Sequence, residues 1–158
     1  MPLLIDGYNL LRSIQKTVDD LHSITDLQMC LIIDRYCALK GEKGRIIFDG
    51  IGPKDKSGFD SVRNLEVFFT GAGVEADKVI EDMIRSNTAP KSLSVVSGDL
   101  RIKKAAKARK AVPVKSEVFW ERIEKFLSRS LRPREPKEKR AGISEGETEQ
   151  WMRFFGLD

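Results

Sequence analysis

The chain is poor in the residues that most often carry metal-free chemistry. Its 158 residues include one histidine, two cysteines, two tyrosines and two tryptophans. His22 stands in a stretch read as a loop, with no second histidine and no nearby cysteine. A zinc site is therefore not expected, and histidine-based catalysis has a single solvated candidate. Cys30 and Cys37 fall seven residues apart in a helical segment, on one face but roughly 10 Å apart along the axis. That is too far for a disulfide, so both read as small core hydrophobes. No apolar run approaches the roughly 20 residues needed to cross a bilayer. The opening Met1-Pro2-Leu3-Leu4-Ile5-Asp6 has no basic stretch and meets an acid at once, which does not read as a signal peptide. A cytoplasmic location is the expectation, with no membrane partner. There is no internal repeat.

What the chain does have is charge, and it is unevenly placed. The net charge is only +4. Arg101 to Lys110 nevertheless carries six basic residues and no acid, and Arg129 to Arg140 carries six against two acids, whereas residues 1–99 are acidic. Four acids, Asp6, Asp49, Asp77 and Asp99, punctuate the acidic part. Three of them close short apolar runs: Leu3-Leu4-Ile5, Arg45-Ile46-Ile47-Phe48 and Leu93-Ser94-Val95-Val96-Ser97-Gly98. Each run reads as a buried strand. In an open parallel sheet the crevice lies outside the carboxyl ends of the strands, so these acids are expected to converge there. Clustered carboxylates repel unless protons or a cation neutralise them. Mg²⁺ or Mn²⁺ suits an all-oxygen site. A basic flank beside such a crevice suits a polyanionic substrate, although a solvated helix face explains a charge run equally well.

Between these runs the elements alternate as β-α-β-loop-β-α-β-α-β-α, which argues for a parallel α/β sheet. Gly7-Tyr8-Asn9 is expected to turn, with a short helical stretch after it to about Ser13. Thr25-Asp26-Leu27-Gln28 reads as a capping box, opening a helix that places Leu27, Cys30, Leu31, Ile33, Tyr36 and Cys37 on the core side and ends at Gly41. Residues 50–64 read as a loop with Lys54, Lys56 and Arg63. A strand over 65–70 is followed by an amphipathic helix whose stripe is Ala76, Val79, Ile80, Met83 and Ile84. The basic helix after Asp99 should carry Lys103, Lys107 and Lys110 on one face and Lys104 at its edge. A short strand, 112–114, precedes a helix from about Ser116 with Val118, Phe119, Ile123, Phe126 and Leu127 facing the core. Arg132 to Gly142 reads as a linker. Ser144-Glu145-Gly146-Glu147 then opens a short helix with Trp151, Met152 and Phe155 on its apolar face. That helix either docks on a partner protein or folds back on its own domain.

Each acid also has a purely structural explanation. Asp6-Gly7 and Asp49-Gly50 could be plain turns. Glu75 and Asp77 open a helix, where acids favour the macrodipole, and Ser97 or Asp99 could cap the next one. Taken together, the set resembles a known family. Leu4-Ile5-Asp6-Gly7-Tyr8-Asn9-Leu10-Leu11 resembles the opening motif of the NYN superfamily of PIN-like ribonucleases. Its order with Phe48-Asp49-Gly50, Phe69-Thr70-Gly71, Glu75-Ala76-Asp77 and Val96-Ser97-Gly98-Asp99 resembles the YacP-like branch. The match covers about residues 3 to 130. The residues after Asp99, Leu100-Arg101-Ile102, depart from the acidic or aromatic pair of some NYN branches.

The resemblance implies a PIN-like three-layer α/β/α fold with a central, mainly parallel sheet over residues 1–130; the flexible basic linker and short amphipathic helix expected at 131–158 lie outside it and rest on composition and spacing. The resemblance also implies a Mg²⁺- or Mn²⁺-dependent endoribonuclease acting on single-stranded RNA. Asp6, Asp49, Asp77 and Asp99 would be the metal-site acids, Glu75 a further catalytic acid, and Asn9 and Ser97 polar supports. Arg12, Lys54, Lys56, Arg101, Lys103, Lys104, Lys107 and Lys110 are candidates for phosphate contacts, and Tyr8 for base stacking or a core role. The best-understood relatives act on mRNA on the ribosome, which makes the ribosome a candidate partner. The competing reading is a non-catalytic RNA- or ribosome-binding module with the same fold. A purely binding surface gains nothing from anions near phosphates, however. A phosphatase with an aspartate nucleophile would want Asp-x-Asp after the first strand, and position 8 is Tyr.

Overall fold

The apolar runs become five strands, β1 (Leu3–Asp6), β2 (Gly44–Phe48), β3 (Leu65–Phe69), β4 (Ser94–Val96) and β5 (Val112–Val114). They pair in parallel in the order β3-β2-β1-β4-β5. The α/β reading therefore holds, and the sheet is wholly parallel. Pro113, which cannot donate to a ladder, sits in edge strand β5, where a proline is tolerated. The computed structural model describes residues 2–17 and 24–131. The expectations for His22, for the linker beyond Leu131 and for the 144–157 helix lie outside them. The chain divides into two compact units, Met1–Trp120 and Glu121–Asp158.

The helices are α1 (Gly7–Thr17), α2 (Asp26–Lys40), α3 (Ala76–Ser86), α4 (Leu100–Ala108) and α5 (Ser116–Leu131). On one face of the sheet, Leu4, Ile47 and Val95 pack against Ala76, Ile80 and Ile84 of α3 and Ile102 and Ala106 of α4. α1 and α2 lie on the other face, where Ser13 of α1 donates to Glu117 at the start of α5 (3.2 Å) and Tyr36 of α2 meets Phe119 edge-on at 6.0 Å. That is the expected three-layer arrangement.

The capping box forms as read: Gln28 N–H donates to Thr25 Oγ1 (3.1 Å) and Thr25 N–H to Gln28 Oε1 (2.9 Å). α2 ends at Gly41 in the left-handed region, φ 69°. Its buried face is Met29, Cys30, Ile32, Ile33, Tyr36 and Cys37, so Met29 and Ile32 take the places expected of Leu27 and Leu31. Both cysteines are free and buried, and burial pushes both thiols up.

Four local expectations are corrected. No turn separates β1 from α1, because the helix begins at Gly7 itself. The glycine is needed for close approach, since a Cβ there would stand 2.5 Å from the Phe48 ring and 2.9 Å from the Ile47 carbonyl oxygen. The 50–64 stretch contains a 3₁₀ turn, Ser57–Ser61, whose Phe59 meets Phe69 edge-on at 5.6 Å. Lys110 is not on α4. The helix stops at Ala108, Lys110 takes a left-handed φ of 62°, and Ala111 N–H donates back to Ala106 O (2.9 Å). This Schellman-like ending removes Lys110 from the basic face. Finally, Val118 is 47% exposed and does not face the core.

Candidate active site

Strand order decides where the acids meet. The chain steps outward through β1, β2 and β3, then returns to β4 on the far side of β1. The order reverses between β1 and β4. α1 leaves β1 toward one face and α4 leaves β4 toward the other, which opens a crevice at that point. Asp6 ends β1 in the middle of the sheet. Asp49 follows the adjoining β2, and Ser97-Gly98-Asp99 follows β4 on the other side.

Hydrogen bonds then join the acids in two pairs. Ser97, 1% exposed, donates its hydroxyl to Asp6 Oδ2 (3.0 Å) and accepts from Asp99 N–H (3.0 Å). One serine thus ties Asp6 to Asp99. On the other side, Ala76 N–H makes a short hydrogen bond to Asp49 Oδ1. Asp49 therefore caps α3 from 27 residues away and sits beside Asp77 in its first turn. Glu75 occupies the N-cap position but makes no side-chain cap bond. The turn before it is closed by Gly50 and Gly71, with φ of 87° and 91°, through Gly71 N–H to Gly50 O (2.9 Å).

Asn9, like Ser97, hydrogen-bonds within this cluster. Asn9 Oδ1 accepts from Gly98 N–H (2.8 Å) and from the buried Ser116 hydroxyl (2.7 Å), holding the 97–99 turn against α1. Asp99 caps α4 by accepting from Arg101 N–H (2.8 Å). The structural role considered for it is real, and it leaves the carboxylate at the crevice.

Electrostatics link the two pairs. Burial pushes the Asp6 carboxyl up to about 6. The Ser97 hydrogen bond opposes the shift, while the charges of Asp77, Asp49 and Asp99 reinforce it. Burial likewise raises Asp77, with Asp99, Asp49 and Glu75 adding to the rise and Arg101 opposing it. Asp6 and Asp77 therefore each feel the charges of Asp49 and Asp99. Their oxygens are the hard ligands that Mg²⁺ or Mn²⁺ takes, so the donor chemistry fits such an ion. Among the described residues, no three of His, Cys, Asp and Glu are close enough to hold an ion unaided. Mg²⁺ in particular keeps several of its waters, which accommodates a spread-out set.

The basic candidates separate into groups. Arg101 is engaged by acids: Glu81 pairs closely with its Nε, and Glu75 lies 3.5 Å from a terminal nitrogen. On α4, Lys103 is partly buried and Lys104 and Lys107 are exposed. Lys54 is exposed in the 50–64 loop, and Lys56 stands over the Phe69 ring at 5.5 Å. Arg12 Nε donates to the Tyr8 carbonyl (3.2 Å). Tyr8 is half-buried, edge-on to Phe48 at 4.9 Å, and Phe48 stacks on Phe69 at 5.3 Å. Tyr8 thus leans on the core aromatic cluster and remains partly exposed. Sequence reasoning missed Ser116 and Glu81, each of which acts across a tertiary contact that no local pattern encodes.

The sequence pattern of the YacP-like NYN domain matches residues 3–153. No curated protein matches the chain. Two crystal structures of Rae1 (YacP) from Bacillus subtilis are similar. One, of a point mutant, has 19% identity and a TM-score of 0.62 and covers 98% of this chain and 92% of that one. The other has 22% identity and a TM-score of 0.65, covering 84% and 80%. At these identities the likeness is one of fold, and it agrees with the PIN-like architecture.

Proposed function

The chain belongs to the YacP-like NYN domain family, a ribonuclease-type domain, and we propose that it is a metal-dependent endoribonuclease hydrolysing phosphodiester bonds of single-stranded RNA. The observation that carries this reading is the joining of Asp6 to Asp99 through Ser97 at the sheet's reversal point, facing Asp49 and Asp77. Asp6, Asp77 and Asp99, with Asp49, would hold a Mg²⁺ or Mn²⁺ ion in part through the ion's own waters, and its chemistry would be to supply an activated water and neutralise charge on the leaving oxygen. The chain's own residues supply the rest. Ser97 fixes the orientation of Asp6, Asn9 fixes the turn that carries Asp99, and Asp49 anchors the helix that carries Asp77. Lys103, Lys104 and Lys107 lead phosphates toward the crevice, and Lys54 and Lys56 do so from the loop. No protein nucleophile is needed, and none of the described crevice residues is a cysteine or a histidine.

The test is cleavage of labelled single-stranded RNA with Mn²⁺ or Mg²⁺, beside an EDTA control and Asp99→Asn. An asparagine still caps a helix, so that variant keeps the fold. Metal-dependent cutting lost in the variant supports the reading. If RNA binds but is cut neither alone nor on translating ribosomes, the protein is a binding module.

A further inference from the structure

The carboxylates occupy one edge of the sheet, and the opposite edge holds a cleft of about 650 Å³ at the N-terminal ends of β1, β2 and β3. Small-molecule sites span roughly 300–1,000 Å³. The floor is apolar, with Leu4, Leu65 and Leu93 buried and Met83 at its side. The rim carries Lys43, Arg45 and Arg63 and one carboxylate, Glu66.

The charges on that rim are not balanced. Glu66 is taken by Arg45, 3.0 Å away and opposite it in the β2–β3 register. Asp34, beneath the rim, spends one oxygen on backbone: it accepts from the N–H groups of Arg63 (3.0 Å) and Asn64 (2.6 Å). These bonds pin the rim to α2 and preform the wall. Among the described residues no ion pair engages Lys43 or the Arg63 guanidinium. The α3 carbonyl end also borders the cleft and would repel an anion. Its exposed carbonyl at Asn87 is covered by Arg109, which donates to it at 2.9 Å. Asn64 and Asn87 add amide groups to the lining.

An apolar floor takes a flat, weakly polar body, amides take ring-edge hydrogen bonds, and two uncommitted cations take a doubly charged anion. We propose that this cleft is a second binding site, for a nucleoside 5′-phosphate. The proposal does not depend on the crevice being catalytic. β1 runs between the two sites, with Leu4 in the cleft wall and Asp6 in the crevice about 7 Å further along the strand. The same chemistry is offered by a free nucleotide and by the 5′-phosphorylated end of an RNA.

The test is calorimetric titration of the full chain with AMP, adenosine, inorganic phosphate, and a short RNA with or without a 5′-phosphate. The expected result is saturable binding of AMP or of the 5′-phosphorylated RNA. It should weaken at least tenfold in Lys43→Gln/Arg63→Gln and stay unchanged in Asp99→Asn. Binding of AMP assigns the site to free nucleotides; because RNA also binds at the crevice, only affinity that RNA gains from its 5′-phosphate and loses in the double variant, without AMP binding, assigns the site to RNA ends. Both exchanges are at exposed side chains, so the fold should persist. Methyl resonances of Met83 and Leu93 give a readout without any variant, and they should shift on saturation. The proposal is overturned if neither phosphorylated probe saturates, if phosphate or adenosine alone binds as tightly, or if Asp99→Asn abolishes binding while the double variant does not.

Discussion

Replacing Asp6 with Asn should make the metal-free protein more stable and inactive at once. Asp6 is 7% exposed, and its carboxyl is pushed from the ordinary 3.8 to about 6. A rise of that size is a penalty of about 3 kcal/mol on the folded state once the group ionises. Proton counting gives the sign. Between pH 4 and 6 the folded protein keeps a proton that the unfolded chain has released, so stability falls as pH rises through this window. Below it both states are protonated and the penalty is absent, and above pH 6 it is complete. Asparagine cannot ionise, and its side-chain oxygen still accepts the Ser97 hydroxyl. Asp6→Asn should therefore gain about 3 kcal/mol, or about 10 °C in Tm, at pH 8 in EDTA, and little at pH 4. Thermal melts of both proteins across that range measure it. Divalent cation should raise the Tm of the parent protein and do much less for the variant. A variant no more stable than the parent at pH 8, or one equally favoured at pH 4, would refute the claim that Asp6 is a strained, uncompensated carboxylate.

Gly7→Ala should lose about 1–3 kcal/mol in chemical denaturation, because the new methyl overlaps both the Phe48 ring and the Ile47 carbonyl. Asn9→Ala leaves the buried Ser116 hydroxyl without its acceptor and frees the 97–99 turn; it should cost about 1–3 kcal/mol and lower cleavage more than RNA binding. Reversing Lys103 and Lys107 to Glu should weaken RNA binding and flatten its dependence on salt in a titration series, whereas an unchanged slope would make α4 a solvated face. Arg101→Gln should leave that slope almost unaltered, since its guanidinium is already held by Glu75 and Glu81.

The strands and the placing of their acids were legible because a parallel sheet imposes a simple rule: where a buried apolar run ends, the next residues lie at the shared edge. Leu3–Asp6, Gly44–Phe48 and Ser94–Val96 each obey it. The α2 capping box was legible because both partners lie within one turn. The features that were not legible depend on contacts distant in sequence. Asp49 meets its α3 amide 27 residues on, and Asn9 meets Ser116 107 residues on. Gly7 looked like a turn residue, and only the approach of Phe48 shows that the missing Cβ is what matters. Lys110 fitted the helical spacing of α4, but a lysine gives no warning that it will take a left-handed conformation and end the face early.

The structural explanation of the acids is compatible with the functional role proposed for them. Two carboxylates at the crevice rest on helix starts: Asp49 accepts from Ala76 at the head of α3 and Asp99 from Arg101 at the head of α4. Those N-termini carry partial positive charge and exposed N–H donors, which stabilise an anion there. Asp77 shares the α3 terminus, where burial raises its carboxyl with the neighbouring acids adding to the rise and Arg101 opposing it. Asp6 is placed differently. It is the most buried of the four, and its carboxylate bonds a serine hydroxyl, a weaker partner for an anion than a helix terminus. Capping thus accounts for where Asp49 and Asp99 stand, whereas Asp6, buried among its neighbours' charges, is held there at a cost. Capping alone would not require Asp6: an asparagine at position 6 would serve Ser97 as well and spare the repulsion. An aspartate there is what the proposed metal-dependent activity requires, since a divalent cation with its own waters would offset the repulsion that an asparagine would avoid.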